Sequence, residues 1–277
     1  MKDANVFTKN DKHSSDHPSS ADESAAPQNI YDNPTFFAGY QALRQNDTGL
    51  NGALEQPALH RFLPKLAGLQ VLDLGCGFGD FARFAREQGA TAVTGVDISS
   101  RMLEAAKALG SDGAIRYLNC SIEAHVPEEQ SCDLVVSSLA LHYVADYASL
   151  VGRVYRALKP GGRFVFSVEH PMCTAAPTAW VLDAYGRRLH WPVDQYRQEG
   201  RRETRWFVEG VVKYHRSIES YVNGLLAAGF QLEHLGEPAP IAHALAARSE
   251  LQDECRRPPF LLLAAARPVT ERDGPGP

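Results

Sequence analysis

The nine residues VLDLGCGFG, at positions 71–79, constrain this fold more than any other part of the chain. An apolar run is followed by glycines at every second position, Gly75, Gly77 and Gly79, and then by the helical pattern of residues 80–88. Glycine permits positive φ, and a turn without side chains lets backbone N–H groups and a helix N-terminus approach a ligand closely. The stretch therefore predicts a buried strand, a tight turn and a helix that together form the floor of a cofactor site.

The spacing of these glycines separates two kinds of cofactor site. A dinucleotide fingerprint, G-x-G-x-x-G, needs its third glycine at the sixth position, where this chain has Asp80. Asp73, two residues before the first glycine, would repel a pyrophosphate but attract an ammonium group. Asp97 ends the next apolar run and is placed to accept hydrogen bonds from both hydroxyls of a ribose. An NAD-dependent dehydrogenase is therefore the least favoured alternative.

The rest of the chain alternates between apolar runs and helical patterns. Such alternation predicts a parallel sheet covered by helices on both faces. We expect strands at 71–74, 92–96, 115–118, 134–137 and 163–168, two later strands at 230–235 and 260–265, and helices at 80–88, 100–109, 146–158 and 217–228. Asn33 before Pro34 predicts the start of an N-terminal helix, and the sequence KPGG at 159–162 predicts the end of the helix at 146–158.

Four stretches carry a family resemblance: VLDLGCGFG, GVDIS, SCDLVVSSLALHYV and ALKPGGRFVFSVEHP. They are similar to the successive motifs of class I S-adenosylmethionine-dependent methyltransferases that act on small molecules. The resemblance covers residues 68–170, and the strand and helix order extends it to about 266. It implies an α/β, Rossmann-like, seven-stranded, mostly parallel sheet with an N-terminal helical cap and an insertion after strand five.

The resemblance also implies a set of cofactor-binding residues. Asp73 and the backbone of the glycine turn would lie beside the amino-acid part of S-adenosylmethionine, Asp97 would hold the ribose, and Ile98 would pack on the adenine. The sequence NCSIEA at 119–124 lacks the acid that many members place after strand three, so Ser121 or a backbone carbonyl is expected to replace it. The expected cofactor-binding residues are Asp73, Gly75, Cys76, Gly77, Asp97, Ile98, Met102, Ser121, Ile122, Glu123 and Ser138.

The acceptor side should form where strands four and five end, because ligands bind at the carboxyl ends of parallel strands. His170, beside Glu169, and His215, beside Arg216, are the candidate general bases. The long segment 171–212 has no regular pattern. Its aromatic residues either anchor the segment to the core or form a lid that closes over the acceptor and faces Phe36, Phe37 and Tyr40. The expected lid residues are Trp180, Trp191, Tyr196 and Trp206, and the expected substrate-binding residues are Tyr40, His142, Tyr143, Glu169, Trp180, Trp191 and Arg216.

Composition restricts the remaining alternatives. A net charge of -5 provides no basic field for nucleic acid. The five cysteines are scattered, which argues against disulfides or a metal site and favours the cytoplasm. No run reaches the roughly 18 apolar residues of a membrane span. We expect a disordered tail at 1–29, one catalytic domain at 30–267, a frayed end at 268–277, and a monomer or homodimer without nucleic-acid or membrane partners.

The expected activity is direct methyl transfer from S-adenosylmethionine to a small metabolite in a water-excluded pocket. Two alternatives keep the cofactor. In one, the enzyme cyclises or fragments S-adenosylmethionine; in the other, the protein binds it without turnover.

Overall fold

A computed structural model describes residues 26–45, 49–110, 112–176 and 179–269 of the 277-residue chain. The expected tail at 1–25 and the expected frayed residues 270–277 lie outside the described residues. Residues 26–29 were also assigned to the tail, but Gln28 donates a hydrogen bond to the Gly210 carbonyl and accepts one from the Val212 N–H. Contacts with the domain therefore begin before residue 30.

A seven-stranded sheet forms the centre of the molecule, in the order β10-β11-β5-β4-β1-β2-β3. Strands β1 to β5 run parallel, whereas β11 is antiparallel to both of its neighbours, as expected for a mostly parallel sheet. The strands are β1 (Gln70–Leu74), β2 (Ala92–Asp97), β3 (Ile115–Asn119), β4 (Cys132–Ser138), β5 (Leu158–Glu169), β10 (Gln231–Gly236) and β11 (Phe260–Ala266).

Several helices begin at side chains that cap them. Asp146, Ser99 and Ser217 each accept a hydrogen bond from a backbone N–H in the first turn of the following helix, which satisfies a donor that has no partner within the helix. The helices are α1 (Pro34–Gln45), α2 (Gln56–Arg61), α3 (Asp80–Glu87), α4 (Ser100–Leu109), α5 (Tyr147–Ala157), α6 (Pro171–Thr174), α7 (Ile218–Ala227) and α8 (Ala242–Ala247), with short 3-10 helices at Ile30–Asp32, Leu141–Tyr143 and Ser249–Cys255 and a π-helix at Asn51–Glu55.

Both faces of the sheet are buried, because side chains alternate along each strand. In β5, Phe164 and Phe166 belong to the core on one face, together with Leu72 of β1. Val165 and Val71 belong to the core on the opposite face, beneath α3. Apolar residues at consecutive positions are therefore buried on opposite faces of the sheet, which explains the uninterrupted apolar runs of the sequence.

Two expectations about the second half of the chain were wrong in detail. The KPGG stretch does not stand between helix and strand, since α5 ends at Ala157 and β5 already begins at Leu158. The segment expected to be irregular, 171–212, contains α6 and two antiparallel hairpins, one formed by β6 (Val181–Leu182) and β7 (Arg188–His190) and one by β8 (Gly200–Trp206) and β9 (Val208–His215). Burial alternates along β8 and β9, so these strands pack on one face only, and no long apolar run marks them in the sequence.

Candidate functional site: a cavity at the carboxyl edge of the sheet

The glycine turn between β1 and α3 has the backbone that the sequence predicted. Gly75, Gly77 and Gly79 all have positive φ, at 78°, 51° and 71°. A Cβ on Gly75 would collide with Ala140, and one on Gly79 would collide with the Tyr117 hydroxyl, whereas nothing lies within 4 Å of a Cβ on Gly77. The first and third glycines are thus required by packing, and the second opens onto a cavity.

Asp97, at the end of β2, holds this turn in place. One carboxylate oxygen accepts the Gly77 N–H at 2.8 Å, and the other accepts the Ser99 N–H at 2.8 Å. Burial raises the pKa of Asp97, and the two backbone hydrogen bonds oppose that rise. Each oxygen keeps a further lone pair, so the carboxylate can accept hydrogen bonds from a ligand in the cavity.

Asp73, within β1, is a buried carboxyl with an unsatisfied oxygen. It is 2% exposed, and its Oδ2 has no hydrogen-bond partner among the described residues. Burial, and next the negative charges of Asp97 and Asp80, raise its pKa to about 8. A cationic group bound beside Asp73 would supply the missing partner and favour the ionised form.

The cavity runs along the carboxyl ends of the parallel strands and has a volume of about 450 Å³. That volume lies within the roughly 300–1,000 Å³ of typical small-molecule sites. The structure brings together around it all of the residues expected to bind the cofactor: Asp73, Gly75, Cys76, Gly77, Asp97, Ile98, Met102, Ser121, Ile122, Glu123 and Ser138.

Strands β4 and β5 end on the other side of β1, and four of the expected substrate-binding residues line the cavity there. These are Tyr40, His142, Tyr143 and Glu169. Burial is the main reason why the pKa of His142 falls to about 4, so its imidazole is neutral at physiological pH. Its Nδ1 accepts a long hydrogen bond, 3.4 Å, from the Glu169 N–H, which leaves the proton on Nε2.

Glu169 is ionised because of a lysine from the second hairpin. Lys213 in β9 is buried and donates to Oε1 of Glu169 at 2.5 Å. Burial acts to raise the pKa of Glu169, but the charge of Lys213 and its hydrogen bond outweigh burial and hold the pKa below the ordinary value. Lys213 also lies 5.3 Å from the centre of the Trp206 ring.

The two histidines proposed as general bases are not part of the cavity lining. Nδ1 of His170 accepts the Met172 N–H at the start of α6, and its Nε2 donates to Glu237. Nε2 of His215 donates to the Tyr196 carbonyl at 2.8 Å, so its Nδ1 accepts from the Thr174 hydroxyl at 2.7 Å. Both rings thus have structural partners on each nitrogen, which corrects the expected placement of the bases.

Three of the expected substrate-binding residues also lie outside the cavity lining. Trp180 and Trp191 pack edge to face against each other, 5.5 Å apart, and Arg257 stacks on both. Arg216 donates to the carbonyls of Val144 and Ala145. Among the aromatic residues expected to form the lid, Trp206 is the one that meets α1, where its ring lies 5.2 Å from that of Phe36 and 5.8 Å from that of Tyr40.

Sequence reasoning missed three residues of the acceptor side. Tyr31 lines the cavity, and its hydroxyl lies 3.5 Å from that of Tyr143. Glu55 is fully buried in the π-helix and accepts from the hydroxyls of Ser138 and Ser167, at the ends of β4 and β5. Every second residue of β9 from Val211 to His215 is buried in the structure, Lys213 among them, but no local sequence pattern marks Lys213, Tyr31 or Glu55.

An N-terminal strap, which we define as residues 26–45, covers the cofactor side of the cavity. Asp32 accepts hydrogen bonds from the Ser99 and Ser100 hydroxyls, at 2.6 and 3.1 Å, and from the Arg101 N–H at 3.1 Å. Arg44 pairs with Asp80 at 2.7 Å, immediately after the glycine turn. The strap therefore forms one wall of the cavity.

The residues that the structure describes contain neither a cluster of metal ligands nor a membrane-spanning helix. No group of three His, Cys, Asp or Glu side chains there could hold a metal ion, and no helix there is long and apolar enough to cross a bilayer.

Known proteins resemble this chain in both sequence and architecture. Residues 72–166 match the methyltransferase domain family. An S-adenosylmethionine-dependent methyltransferase of Mesorhizobium loti is 48% identical, with a TM-score of 0.74 over 79% of this chain and 100% of that one. An uncharacterized protein of Haemophilus influenzae is 34% identical over 247 residues, which are 86% of this chain and 96% of that protein.

A further relative shares a shorter stretch. The malonyl-[acyl-carrier protein] O-methyltransferase of Pectobacterium atrosepticum is 41% identical over 106 residues, and the match spans only 38% of this chain and 40% of that enzyme. The near-complete coverage of the Mesorhizobium loti structure, together with the seven-stranded sheet and its glycine turn, identifies the family. The chain is a class I S-adenosylmethionine-dependent methyltransferase.

Proposed function

We propose that this methyltransferase acts on a small-molecule acceptor that binds in the same cavity as the cofactor, on the side where β4 and β5 end. One observation carries the proposal: a single cavity of about 450 Å³ is lined by the expected cofactor residues and also by Tyr31, Tyr40, His142 and Glu169. A reaction centre between the two groups of residues would place donor and acceptor in contact, which is the main requirement of methyl transfer.

The residues around the glycine turn fit S-adenosylmethionine. The unsatisfied Oδ2 of Asp73 suits its ammonium group, and the free lone pairs of Asp97 suit its ribose hydroxyls. The open space above Gly77 leaves room for its amino-acid part. Ile98, Met102 and Ile122 provide apolar contacts for a flat ring. Bound S-adenosylmethionine supplies an electrophilic methyl group on a sulfonium.

The chain itself contributes orientation and the exclusion of water. Phe36 of the strap is fully buried, and its ring meets Tyr31 at 4.8 Å and Trp206 at 5.2 Å, so these rings pack together at the acceptor side. A water-poor cavity strengthens the interaction of the sulfonium with Glu169 and with aromatic faces. It also keeps water from competing as the nucleophile.

The malonyl-[acyl-carrier protein] enzyme provides no acceptor for this chain, because its similarity is confined to 106 residues. The acceptor must be found directly. Purified protein would be incubated with methyl-labelled S-adenosylmethionine and a metabolite extract, and the products followed by mass spectrometry. Formation of S-adenosylhomocysteine with a labelled small molecule is the expected result.

Two other products would contradict the proposal. Methylthioadenosine in place of S-adenosylhomocysteine would mean that the enzyme fragments its cofactor. Label that appears only on macromolecules would mean that the acceptor is not a small molecule. Heat-inactivated protein serves as the control for spontaneous methylation.

A further inference from the structure

The acceptor side of the cavity carries enough detail to indicate the chemical class of the acceptor. We propose that the acceptor is a small amine, whose nitrogen is held at the free oxygen of Glu169 and surrounded by the rings of Tyr31, Tyr40, Tyr143 and Trp206. This inference rests on the proposed function and deepens it.

The charges that line the cavity favour a cation. Five carboxylic acids line the cavity, of which Asp73 holds a proton below about pH 8 until a cation binds beside it, whereas one basic side chain, Arg44, lines it and is paired with Asp80. The acids are Asp73, Asp80, Asp97, Glu123 and Glu169. The field inside such a cavity attracts cations and raises their local concentration.

Glu169 is the acid at the acceptor side, and half of its carboxylate remains available. Oε1 accepts a hydrogen bond from Lys213. Oε2 has no hydrogen bond among the described residues, and it is not fully buried. The side chain keeps 26% of its surface accessible, against 8% for Lys213. Since Glu169 lines the cavity and Lys213 does not, the negative end of the pair faces the acceptor.

Aromatic rings line the same cavity as this carboxylate. The ring of Tyr31 meets that of Tyr40 edge to face at 5.2 Å and that of Tyr143 at 6.2 Å, and Tyr40 meets Trp206 at 5.8 Å. All of these residues line the cavity. Aromatic faces attract ammonium groups, and a ring of them beside a carboxylate is the arrangement by which proteins recognise amines and methylated amines.

The acid-base groups present also suit an amine better than a hydroxyl. The pKa of His142 is about 4, and that of Glu169 is held below its ordinary value, so neither accepts a proton readily from an alcohol or a phenol. An amine in equilibrium with its neutral form needs no such base. The neutral amine, which has released its proton to solvent before binding, forms the new N–C bond with its lone pair, the S–CH₃ bond breaks with its electron pair retained by sulfur, and the positive charge passes to the methylated nitrogen beside Glu169.

Three ligands of similar shape and different charge test this class. The dissociation constants of phenethylamine, 2-phenylethanol and 3-phenylpropionate would be measured by calorimetry in the presence of saturating S-adenosylhomocysteine, so that no turnover occurs. We expect the amine to bind roughly 10-fold to 100-fold more tightly than the alcohol, because both partners of its hydrogen bond to Glu169 are charged, and the carboxylate to bind most weakly.

Variants assign the preference to particular side chains. Glu169→Gln should abolish the preference for the amine, and Trp206→Leu, which leaves every charge in place, should reduce it. Glu203→Gln is the matched control, because Glu203 is an exposed carboxylate on β8 that pairs with Arg201; it should behave as the wild type. The affinity for S-adenosylhomocysteine, measured in each variant, reports whether the fold persists.

Several outcomes overturn the inference. These are an alcohol or carboxylate that binds as tightly as the amine, an amine that does not bind, or a preference that survives Glu169→Gln together with Trp206→Leu. In each of them S-adenosylhomocysteine would still bind, so the proposed small-molecule methyltransferase would stand with another acceptor class. Failure of the proposed function itself would appear instead as label on macromolecules or as methylthioadenosine.

Discussion

Asp97 does two things at the scale of a single residue: it accepts hydrogen bonds from the glycine turn and it presents lone pairs to the cavity. We expect Asp97→Ala to weaken S-adenosylhomocysteine binding by about 1.5–3 kcal/mol through lost charge-assisted hydrogen bonds. Asp97→Asn keeps one acceptor oxygen, and its affinity for S-adenosylhomocysteine should lie between those of Asp97→Ala and the wild type. Titration calorimetry measures both, and an unchanged affinity in Asp97→Ala would refute the ribose assignment.

The carboxyl of Asp73 makes the cofactor-free protein sensitive to pH. Its pKa is raised from 3.8 to about 8, so between these values the folded protein holds a proton that the unfolded chain releases. The free energy of unfolding therefore falls as pH rises from about 4 to about 8. Asp73→Asn removes this contribution, and its stability relative to the wild type should increase with pH over that window.

Urea unfolding without cofactor, at a series of pH values, measures the effect. The same variant should bind S-adenosylhomocysteine more weakly, because the amide cannot ionise beside the ammonium group. A stability difference that is constant from pH 4 to pH 8 would show that Asp73 does not titrate in this range.

His170 and His215 lead to a different prediction now that their partners are known. His170→Ala removes the side chain that caps α6, and its loss should cost about 0.5–2 kcal/mol of stability. If the role of His170 is structural, turnover per folded molecule should stay near that of the wild type at a temperature where the variant is folded. A large loss of turnover with unchanged stability would restore His170 as the base.

At the scale of elements, the contact between the strap and α4 is the connection that covers the cofactor side. Asp32 in the strap accepts from three donors at the N-terminus of α4, and these hydrogen bonds, despite the opposing effect of its partial burial, hold its pKa below the ordinary value. We expect Asp32→Ala to speed the dissociation of S-adenosylhomocysteine several-fold. Stopped-flow chase experiments measure the rate, with Asp183→Ala as a control at a carboxylate that bonds within its own turn.

A comparison of α4 with the hairpin of β8 and β9 shows which elements the sequence predicts. The bounds of α4, predicted at 100–109, are confirmed because Ser99 caps it and its apolar residues repeat every three or four positions. The hairpin of β8 and β9 was missed because its strands are half exposed and their pairing depends on residues in the other strand. The same hairpin supplies Lys213, which was missed together with its strand, whereas Trp206 was expected from the sequence as a lid residue.

For the whole molecule, the cofactor should act as a stabilising ligand, since its site joins the strap, the turn after β1 and the ends of four strands. Binding to the folded state alone adds about 2.7 kcal/mol when the free ligand is 100 times its dissociation constant. Thermal melting with rising S-adenosylhomocysteine should show this increase, and Asp97→Ala should need proportionally more ligand for the same shift. No shift at saturation would mean that the site is not coupled to folding.

The cofactor half of this enzyme could be read from sequence because its determinants are local. An apolar strand, three glycines that need positive φ, and acids at the strand ends all lie within short windows, and a parallel sheet necessarily brings these ends to one edge. The acceptor half was decided by tertiary structure. Tyr31, Glu55 and Lys213 come from three distant segments, and His170 and His215 were bound by Glu237, Tyr196 and Thr174. Short-range patterns determine which backbone forms, whereas long-range packing determines which side chains remain free to meet a substrate.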